Sequence, residues 1–425
     1  MSLCIIIVFV GLLIVGAPIA ICLAMAGVVP TAIFADISAV AVMQKFFTSI
    51  DSASLMAVPF FILAGNLLGE GGVSKRLVDF ASSLVGWLPG GLAVVTFVAS
   101  AFFGAICGSA AATCSAIGAI MVPQLVKRGY PLPFSLATIA SAGFLGVIIP
   151  PSIPMIVYGQ CTNTSVNELF MAGFVPGIML TVAMSLYAIV WGKKNKIPTQ
   201  DFHIAEVGRS FTNAIWALIM PFIILGGIYG GIFTATEAGA VSCVYGFIVG
   251  IFVYKELNFK ITIKILKSSI ITSAMIMLII AAANGFALIL TRENIPQIIS
   301  KSIIAISGDS TLIFLMMVTI LLLFVGTFME TLPAIMILSP ILILACHPLG
   351  INQVAFGIIM IVNLAIGVIT PPLGLDLYVA AGIANEPVSV VINKHLLRYG
   401  LCSLFVLLLI MVFPQIILWL PSTMS

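Results

Sequence analysis

The sequence predicts an all-α polytopic membrane protein, and three observations lead to that fold class. Of the 425 residues, 62% are hydrophobic and only 7% are charged, whereas soluble domains contain about 25% charged residues. Apolar stretches near or above the roughly 20 residues that cross a bilayer recur along the chain, which leaves no space for a sizeable soluble domain. The proline-rich segment GVIIPPSIP at 146–154 has a near copy, GVITPPLGL, at 367–375.

The basic residues indicate which ends of the spans lie in the cytoplasm. The first apolar stretch, Leu3 to Val29, lacks a basic leader and is too long for a signal peptide, so it is predicted to be a retained span. Fourteen of the 17 Lys and Arg residues form five groups, and basic residues in short loops favour the cytoplasmic side. The groups lie within 75–76, 127–128, 193–209, 255–267 and 394–398. Between the second and third groups the chain crosses the membrane and returns in the apolar passages 134–164 and 169–191. Between the third and fourth groups it does so again in the passages 215–233 and 238–253.

Two apolar runs are predicted to be re-entrant helical hairpins. The run at 92–126 is bounded by cytoplasmic charge at both ends, so it must enter and leave on the same side. Its centre, GAICGSAAATCS, is small and polar, which suits the tip of a hairpin. The second hairpin, at 311–347, opens at HPLGINQ, where the lack of Lys and Arg indicates the periplasmic side.

The same parts occur in the same order in both halves of the chain, which predicts an inverted-topology repeat. Gly146 and Gly367 are 221 residues apart, and the hairpin glycines Gly104 and Gly326 are 222 apart. The predicted divisions are N-terminal scaffold spans at 1–72, an amphipathic arm at 73–91, the first transport repeat at 92–168 with a broken helix at 134–164, scaffold spans at 169–282, a second arm at 283–310, the second transport repeat at 311–393 with a broken helix at 351–385, and a C-terminal span at 394–425.

The two proline-rich segments are expected to break their helices because each proline removes a backbone donor and clashes with the preceding turn. Broken backbone is tolerated at membrane depth only where protein or a water-filled cavity surrounds it. The carbonyl groups at the C-terminal end of a helix favour a cation, and the amide groups at the N-terminal end favour an anion. Two breaks related by a repeat therefore favour a binding site, and the alternative is a pair of kinks used only for packing.

Several other classes of protein are disfavoured by the motifs that the sequence lacks. The eight cysteines are scattered without a CxxC motif or a Cys/His cluster, and neither a P-loop nor HExxH is present. No nucleophile and base recur at usable spacing, so an enzyme is not expected. The KKNK run at 193–196 is interpreted as an orientation signal, not as a nucleic-acid patch. An ion channel or a passive structural membrane module remains as an alternative.

Several long motifs resemble the large membrane subunit of the tripartite ATP-independent periplasmic (TRAP) transporters. They are GVIIPPSIPMIVYG, GIFTATEAGAV, FMETLPAIMILSPI and GVITPPLGLDLYVAAGI, and the resemblance covers essentially the whole chain. It implies an elevator-type secondary transporter of the bacterial inner membrane that uses a sodium gradient. It also implies two protein partners, a small membrane subunit and a periplasmic binding protein that delivers an organic acid.

The resemblance implies at least two sodium ions, each held between a hairpin tip and a broken helix. Backbone carbonyls and hydroxyl groups supply the oxygens that sodium needs, and glycines let the carbonyls converge. The first site maps onto Gly104, Gly108, Ser109, Gly146, Ile149 and Pro150, and the second onto Gly326, Thr327, Glu330, Gly367 and Thr370.

Four polar residues near these elements are predicted to bind the substrate: Ser109, Ser152, Thr331 and Asp376. Asp376 is expected to have a substrate or additional ion role, because a charged acid at the bilayer centre must face a cavity, an ion or a partner. Hydrogen bonds to the local backbone are the alternative for Ser152 and Thr331. Glu330 is expected either to bind an ion or to cap its turn, and Glu237 to cap a helix.

Within the family, sialic acid is the expected substrate and a C4-dicarboxylate is the alternative. The preference depends on Asp376 in PPLGLDLY, a position where dicarboxylate transporters that resemble this chain commonly carry Asn.

Overall fold

The computed structural model describes residues 1–34, 39–308 and 310–424, and within these ranges the chain forms helices and loops without any strand. The prediction of an all-α protein is confirmed. The α-helices are, in order, α1 Ser2–Ile14, α2 Ile19–Phe34, α3 Ala39–Ile50, α4 Ala57–Glu70, α5 Val73–Val85, α6 Gly91–Cys107, α7 Ala110–Lys127, α8 Leu132–Gly143, α9 Leu145–Ile148, α10 Ile153–Thr162, α11 Val166–Lys194, α12 Ile204–Tyr229, α13 Ala235–Ile248, α14 Phe259–Arg292, α15 Ile295–Ser307, α16 Thr311–Phe328, α17 Thr331–Cys346, α18 Gln353–Gly367, α19 Leu375–Ala384, α20 Val388–Val391, α21 Lys394–Val412 and α22 Gln415–Met424.

Seven of the described helices are long and apolar enough to cross a membrane, and the chain is therefore polytopic. They are α7, α11, α12, α13 with the π-helical turn that follows it, α14, α16 and α21. Two further pairs of helices pass the same test but are bent at a short break. The bend is 63° between α3 and α4, and 44° between α8–α9 and α10.

The first predicted span is wrong, because Leu3 to Val29 is not one helix. α1 ends at Ile14 and α2 begins at Ile19, and the two helices pack against each other. Gly16 adopts a left-handed φ of 80° between them, which glycine tolerates without steric cost. Pro18 follows two residues later and cannot donate a helical hydrogen bond.

The elements that were expected to form hairpins and broken helices occur in the same order in both halves. α6 and α7 meet at Gly108 and Ser109, and α16 and α17 meet at Met329 and Glu330. The first break separates α9 from α10, and the second separates α18 from α19. Both Pro–Pro bonds in these breaks are cis.

The helices α8 and α18 lie at the centre of the protein. Every residue of α8 from Phe134 to Gly143 and every residue of α18 from Val354 to Gly367 is buried. A helix that is apolar all round is surrounded either by protein or by lipid, and the complete burial of these two shows that protein surrounds them. The two helices that lead into the breaks are thus enclosed by protein.

Residues 283–292 form one continuous helix with the span before them, although they were predicted to begin the second arm. α14 runs for 34 residues through Arg292, because its alanine- and leucine-rich end contains no proline to stop it. The amide of Asn284 bonds back to the carbonyl of Ile280 within this helix. The amphipathic part of the predicted arm is α15, which begins after the left-handed residue Asn294.

Three of the five basic groups converge on one face of the protein, as the orientation argument expects. Arg76 Nη1 lies 2.8 Å from Glu256 Oε1, and its guanidinium lies 3.7 Å from the ring centroid of Tyr254. Lys75 and Arg209 line the same recess.

Glu237 completes a capping box with Thr234 at the start of α13, so the prediction that it caps a helix is confirmed.

Candidate functional site

A cavity of about 270 Å³ lies where the two hairpin tips meet the two helix breaks. Its volume is close to the roughly 300 Å³ lower end of small-molecule pockets. α4 and α14 form the opposite wall. The cavity therefore lies between the hairpin tips and helix breaks on one side and the helices α4 and α14, which are outside the two transport repeats, on the other.

The first hairpin tip packs closely on the first break. A Cβ placed on Gly104 would lie 2.8 Å from Gly146 Cα, and one placed on Gly146 would lie 2.6 Å from the carbonyl oxygen of Ser109. Gly108 turns the chain with a left-handed φ of 63°, and its carbonyl accepts a hydrogen bond of 3.4 Å from the amide of Ile153. Backbone oxygens thus come together at this contact because the residues have no side chains to separate them.

The second hairpin and the second break repeat this contact. A Cβ placed on Gly326 would lie 2.9 Å from Gly367 Cα. Next to Gly326, the hydroxyl of Thr327 donates to the carbonyl of Phe324 at 2.7 Å. Gly104 with Gly146, and Gly326 with Gly367, are therefore equivalent contacts in the two halves.

Four helix N-termini point their first turns at the cavity. The lining includes Ala110 to Ala112 of α7, Ile153 and Pro154 of α10, Thr331 and Leu332 of α17, and Leu375 of α19. Each N-terminus carries roughly half a positive charge, which stabilises a bound anion. Among the described residues that line the cavity there is neither Lys nor Arg, so the helix ends are its fixed source of positive potential.

The first set of predicted sodium ligands is gathered in one place. Gly104, Gly108, Ser109 and Gly146 meet at the tip and break, and Ile149 and Pro150 are buried in the break itself. Ser109 also caps α7, where its hydroxyl accepts from the amide of Ala112 at 3.5 Å. Whether these groups bind sodium stays a prediction; the structure brings the first four together at one contact between the tip and the break.

The second set of predicted ligands is divided between two places. Gly326, Gly367 and Thr327 lie at the helix contact, and Glu330 lines the main cavity. Within the described part of the chain, Glu330 makes no side-chain capping bond, so its expected capping role is not seen. Thr370 lies instead at a separate apolar pocket beside α21, where its hydroxyl donates to the carbonyl of Ile366 at 2.8 Å.

Two of the four predicted substrate-binding residues line the cavity, namely Ser109 and Thr331. Ser152 is fully buried, and its hydroxyl donates to the carbonyl of Val147 at 2.6 Å while it caps α10. This geometry is the local backbone bonding that was the alternative for Ser152. Asp376 is fully buried behind the cavity wall, not exposed in the cavity.

Three polar residues of the opposite wall were missed from the sequence: Asn66 on α4, and Ser268 and Thr272 on α14. The amide of Asn66 donates to the hydroxyl of Ser269 at 2.8 Å, which joins these two helices beside the cavity. Asn66 interrupts the apolar run FFILAGNLLG, and this isolated polar residue was the available signal. Which face of α4 is turned toward the cavity, and therefore whether Asn66 lines it, depends on how α4 packs against its neighbours.

Comparison with known proteins agrees with the geometry of a transporter. A family model described as "Tripartite ATP-independent periplasmic transporter, DctM component" matches residues 6–416. The chain is 43% identical over 406 residues to an isethionate TRAP transporter permease of Oleidesulfovibrio alaskensis, covering 95% of this chain and 64% of that relative, so it spans about two thirds of that protein's length. It is 39% identical to a C4-dicarboxylate TRAP transporter large permease of Pseudomonas aeruginosa, over 94% of this chain and 93% of the relative.

A sialic acid TRAP transporter large permease of Vibrio cholerae is 36% identical over 89% of this chain and 88% of its own. Among solved structures, the YdaH transporter of Alcanivorax borkumensis superimposes with a TM-score of 0.63, covering 87% of this chain and 86% of that chain at 16% identity. That likeness concerns the fold alone. The relatives named here are permeases, which confirms the expectation that the chain is not an enzyme.

Proposed function

Because the chain belongs to the DctM family of tripartite ATP-independent periplasmic transporters, we propose that it imports an organic acid anion across the inner membrane by coupling it to sodium. The observation that carries this proposal is the cavity itself. Four helix N-termini face it without a single cationic side chain among its described lining residues. The helix ends favour a bound anion, but Glu330 is also in the lining, so the charge of the anion stays only partly compensated.

Sodium would supply the remaining positive charge at the two glycine contacts. At the first contact the carbonyl of Ser109 and the backbone of Gly146 come together. Ser109 immediately precedes α7, and the first residues of α7 line the cavity. Sodium is a hard cation that takes oxygen ligands, and backbone carbonyls with Ser109 provide them. Binding the ion at the tip would thereby organise the wall on which the anion lies.

The transport motion that we propose is an elevator movement of the two hairpins and two broken helices against the other helices. The cavity is lined on one side by those elements and on the other by α4 and α14. A substrate in it therefore touches both bodies that would move relative to each other. The small membrane subunit and a periplasmic binding protein are the proposed partners, as the tripartite family implies.

We propose a singly charged, hydroxylated acid as the substrate, with sialic acid as the specific candidate. Glu330 lines the cavity, and a second carboxylate on the substrate would be repelled by its charge. Ser109, Thr272 and Asn66 offer hydroxyl and amide groups that pair with substrate hydroxyls. A C4-dicarboxylate is the alternative, and the relatives named for isethionate and for C4-dicarboxylates make both acids necessary comparisons.

The test is uptake by the chain reconstituted in proteoliposomes with its small subunit and binding protein. Labelled sialic acid, isethionate and a C4-dicarboxylate are compared with and without an inward sodium gradient. We expect sodium-driven uptake of a singly charged acid. Uptake at the same rate with and without the sodium gradient contradicts the proposed coupling. Faster uptake of the C4-dicarboxylate than of the singly charged acids contradicts the proposed substrate.

Threonine variants test the sodium ligands directly. Thr327→Val and Thr370→Val remove hydroxyls that were predicted to bind sodium, and weaker sodium activation is expected of both. Thr181→Val is a matched control, because its hydroxyl bonds to the carbonyl of Gly177 at 2.8 Å, one turn back, as Thr370 does with Ile366. Unchanged activation in both variants removes these two side chains from the proposed coordination.

A further inference from the structure

Asp376 is the carboxyl group whose position most needs an explanation. It lies in the first turn of α19, and its side chain is 0% exposed. Neither carboxyl oxygen has a hydrogen-bond partner in the part of the chain that the structure describes. An isolated ionised carboxylate in such a place is costly, and proteins commonly neutralise the group instead.

The carboxyl lies where elements of both repeats meet. A Cβ placed on Gly143 of α8 would lie 2.7 Å from Asp376 Oδ2, 2.7 Å from Cys114 Cβ and 3.2 Å from the carbonyl oxygen of Ala110. The thiol of Cys114 lies 3.8 Å from the carbonyl oxygen of Asp376. Asp376 therefore joins the second broken helix to the first hairpin and to the first broken helix.

These surroundings suit a proton better than a metal ion. Sodium requires several oxygen ligands, but of the three atoms nearest a Cβ placed on Gly143 only the carbonyl oxygen of Ala110 could join the Asp376 carboxyl as an oxygen ligand. No group of three or more His, Cys, Asp and Glu side chains capable of holding a metal was found in the described residues. A protonated carboxyl is neutral, so burying it without partners costs much less than burying the carboxylate.

The titratable groups near Asp376 come from two elements, α7 and the tip of the second hairpin. Cys114 on α7 is the titratable group in contact with it. Glu330, at the tip of the second hairpin, lines the same cavity as Ala110. The sequences of α8 and α20, which also pack on α19, contain no titratable side chain. The macrodipole of α19 opposes proton binding, but its effect is smaller than that of complete burial.

We propose that Asp376 is a proton-binding site, loaded when the first hairpin is packed against α8 and α19 and unloaded when that packing opens. Ala110 and Leu375 both line the cavity. Leu375 precedes Asp376 in the chain, and the carbonyl of Ala110 lies beside the same face of Gly143 as the Asp376 carboxyl, so the carboxyl lies just behind the cavity wall. On loading, a proton from water forms the O–H bond of the carboxyl. On unloading, that bond breaks and the proton returns to water, leaving the carboxylate hydrated.

This inference deepens the proposed function, because it adds a proton to the transport cycle, but it does not require sodium coupling. We expect uptake under a fixed sodium gradient to fall as pH rises, since the carboxylate form opposes closure of the first hairpin. In Asp376→Asn the side chain is permanently neutral, and its relative rates should be flat over the same pH range whatever its absolute rate. The same change at the exposed Asp201 is the matched control, which should retain the wild-type profile.

A second measurement does not depend on transport. Infrared spectroscopy of the reconstituted protein at neutral pH detects the carbonyl stretch of a protonated carboxyl, which shifts in deuterated water. We expect Asp376→Asn to lose one carboxyl's share of this band and Asp201→Asn to keep all of it. A band unaffected by Asp376→Asn, or a pH profile that Asp376→Asn retains, overturns the proposal, and neither outcome bears on sodium-driven uptake.

Discussion

The close contact between Gly104 and Gly146 gives the most direct test of the proposed sodium site. In Gly104→Ala the new methyl carbon would lie 2.8 Å from Gly146 Cα, about 1 Å less than the ~3.5–4.0 Å of a normal carbon contact. The opposing atom is backbone, so the tip and the break must move apart. Overpacking of this kind costs ~1–3 kcal/mol, and the better helix propensity of alanine returns ~0.5–1 kcal/mol.

The difference between the two ranges is centred on ~1 kcal/mol, which corresponds to a roughly 5-fold change in an equilibrium constant. If sodium binds where the tip meets the break, the sodium concentration for half-maximal uptake should rise by that factor in Gly104→Ala. Gly326→Ala should behave similarly, because its methyl carbon would lie 2.9 Å from Gly367 Cα.

The control is Gly382→Ala on α19, where an added Cβ would meet nothing within 4 Å among the described atoms. Its sodium activation should be that of the wild type. The assay is initial uptake in proteoliposomes over a series of sodium concentrations, with the amount of inserted protein measured in each preparation. Wild-type activation in both Gly104→Ala and Gly326→Ala would refute the assignment of the ions to these contacts.

Three further substitutions have expected outcomes. Glu330→Gln should raise uptake of a C4-dicarboxylate relative to a singly charged acid, because the repulsive carboxylate is gone; competition between two labelled acids measures the ratio. Ser152→Ala removes the 2.6 Å bond to Val147 and leaves a buried carbonyl unpaired, so thermal unfolding should show a loss of ~1–3 kcal/mol with the preference among acids unchanged. Arg76→Gln should cost about 1–2 kcal/mol, because it removes both a partly exposed ion pair with Glu256 and the contact of the guanidinium with the Tyr254 ring. The ion-pair part of the loss in thermal stability should shrink at high salt; a loss above about 2 kcal/mol that salt does not change would contradict this.

The positions of the tips and breaks could be predicted because they follow from local chemistry. Prolines at 150–151 and 371–372 cannot continue a helix. Glycine at 108 permits a turn and serine at 109 favours the start of a new helix. The duplicate spacing then identified which glycines correspond in the two halves, and the family resemblance paired each hairpin tip with its break. The helices on either side of Gly108 accordingly end within two residues of the expected tip.

The directions of single side chains could not be predicted in the same way. Asp376 lies on a helix with apolar residues all round it, so the sequence has no polar stripe that indicates its orientation. Its contact with Gly143 and Cys114 depends on how α19 rotates against α7 and α8, which long-range packing determines. Thr370 faces α21 for the same reason. The function of Asn66 on α4 could not be predicted for a similar reason, because its hydrogen bond to Ser269 depends on how α14 packs beside α4.

The two glycine contacts explain why an ion and an anion would bind cooperatively instead of independently. The Ser109 turn has the Gly146 contact on one side and the cavity on the other. An ion that fixes this turn also fixes the α7 amides that face the anion, and the anion stabilises the same turn in return. Binding free energies coupled through a shared element must be reciprocal, so the acid should increase the affinity for sodium by the factor by which sodium increases the affinity for the acid. In Gly104→Ala both effects should weaken together, which distinguishes coupling through the tip from two separate sites.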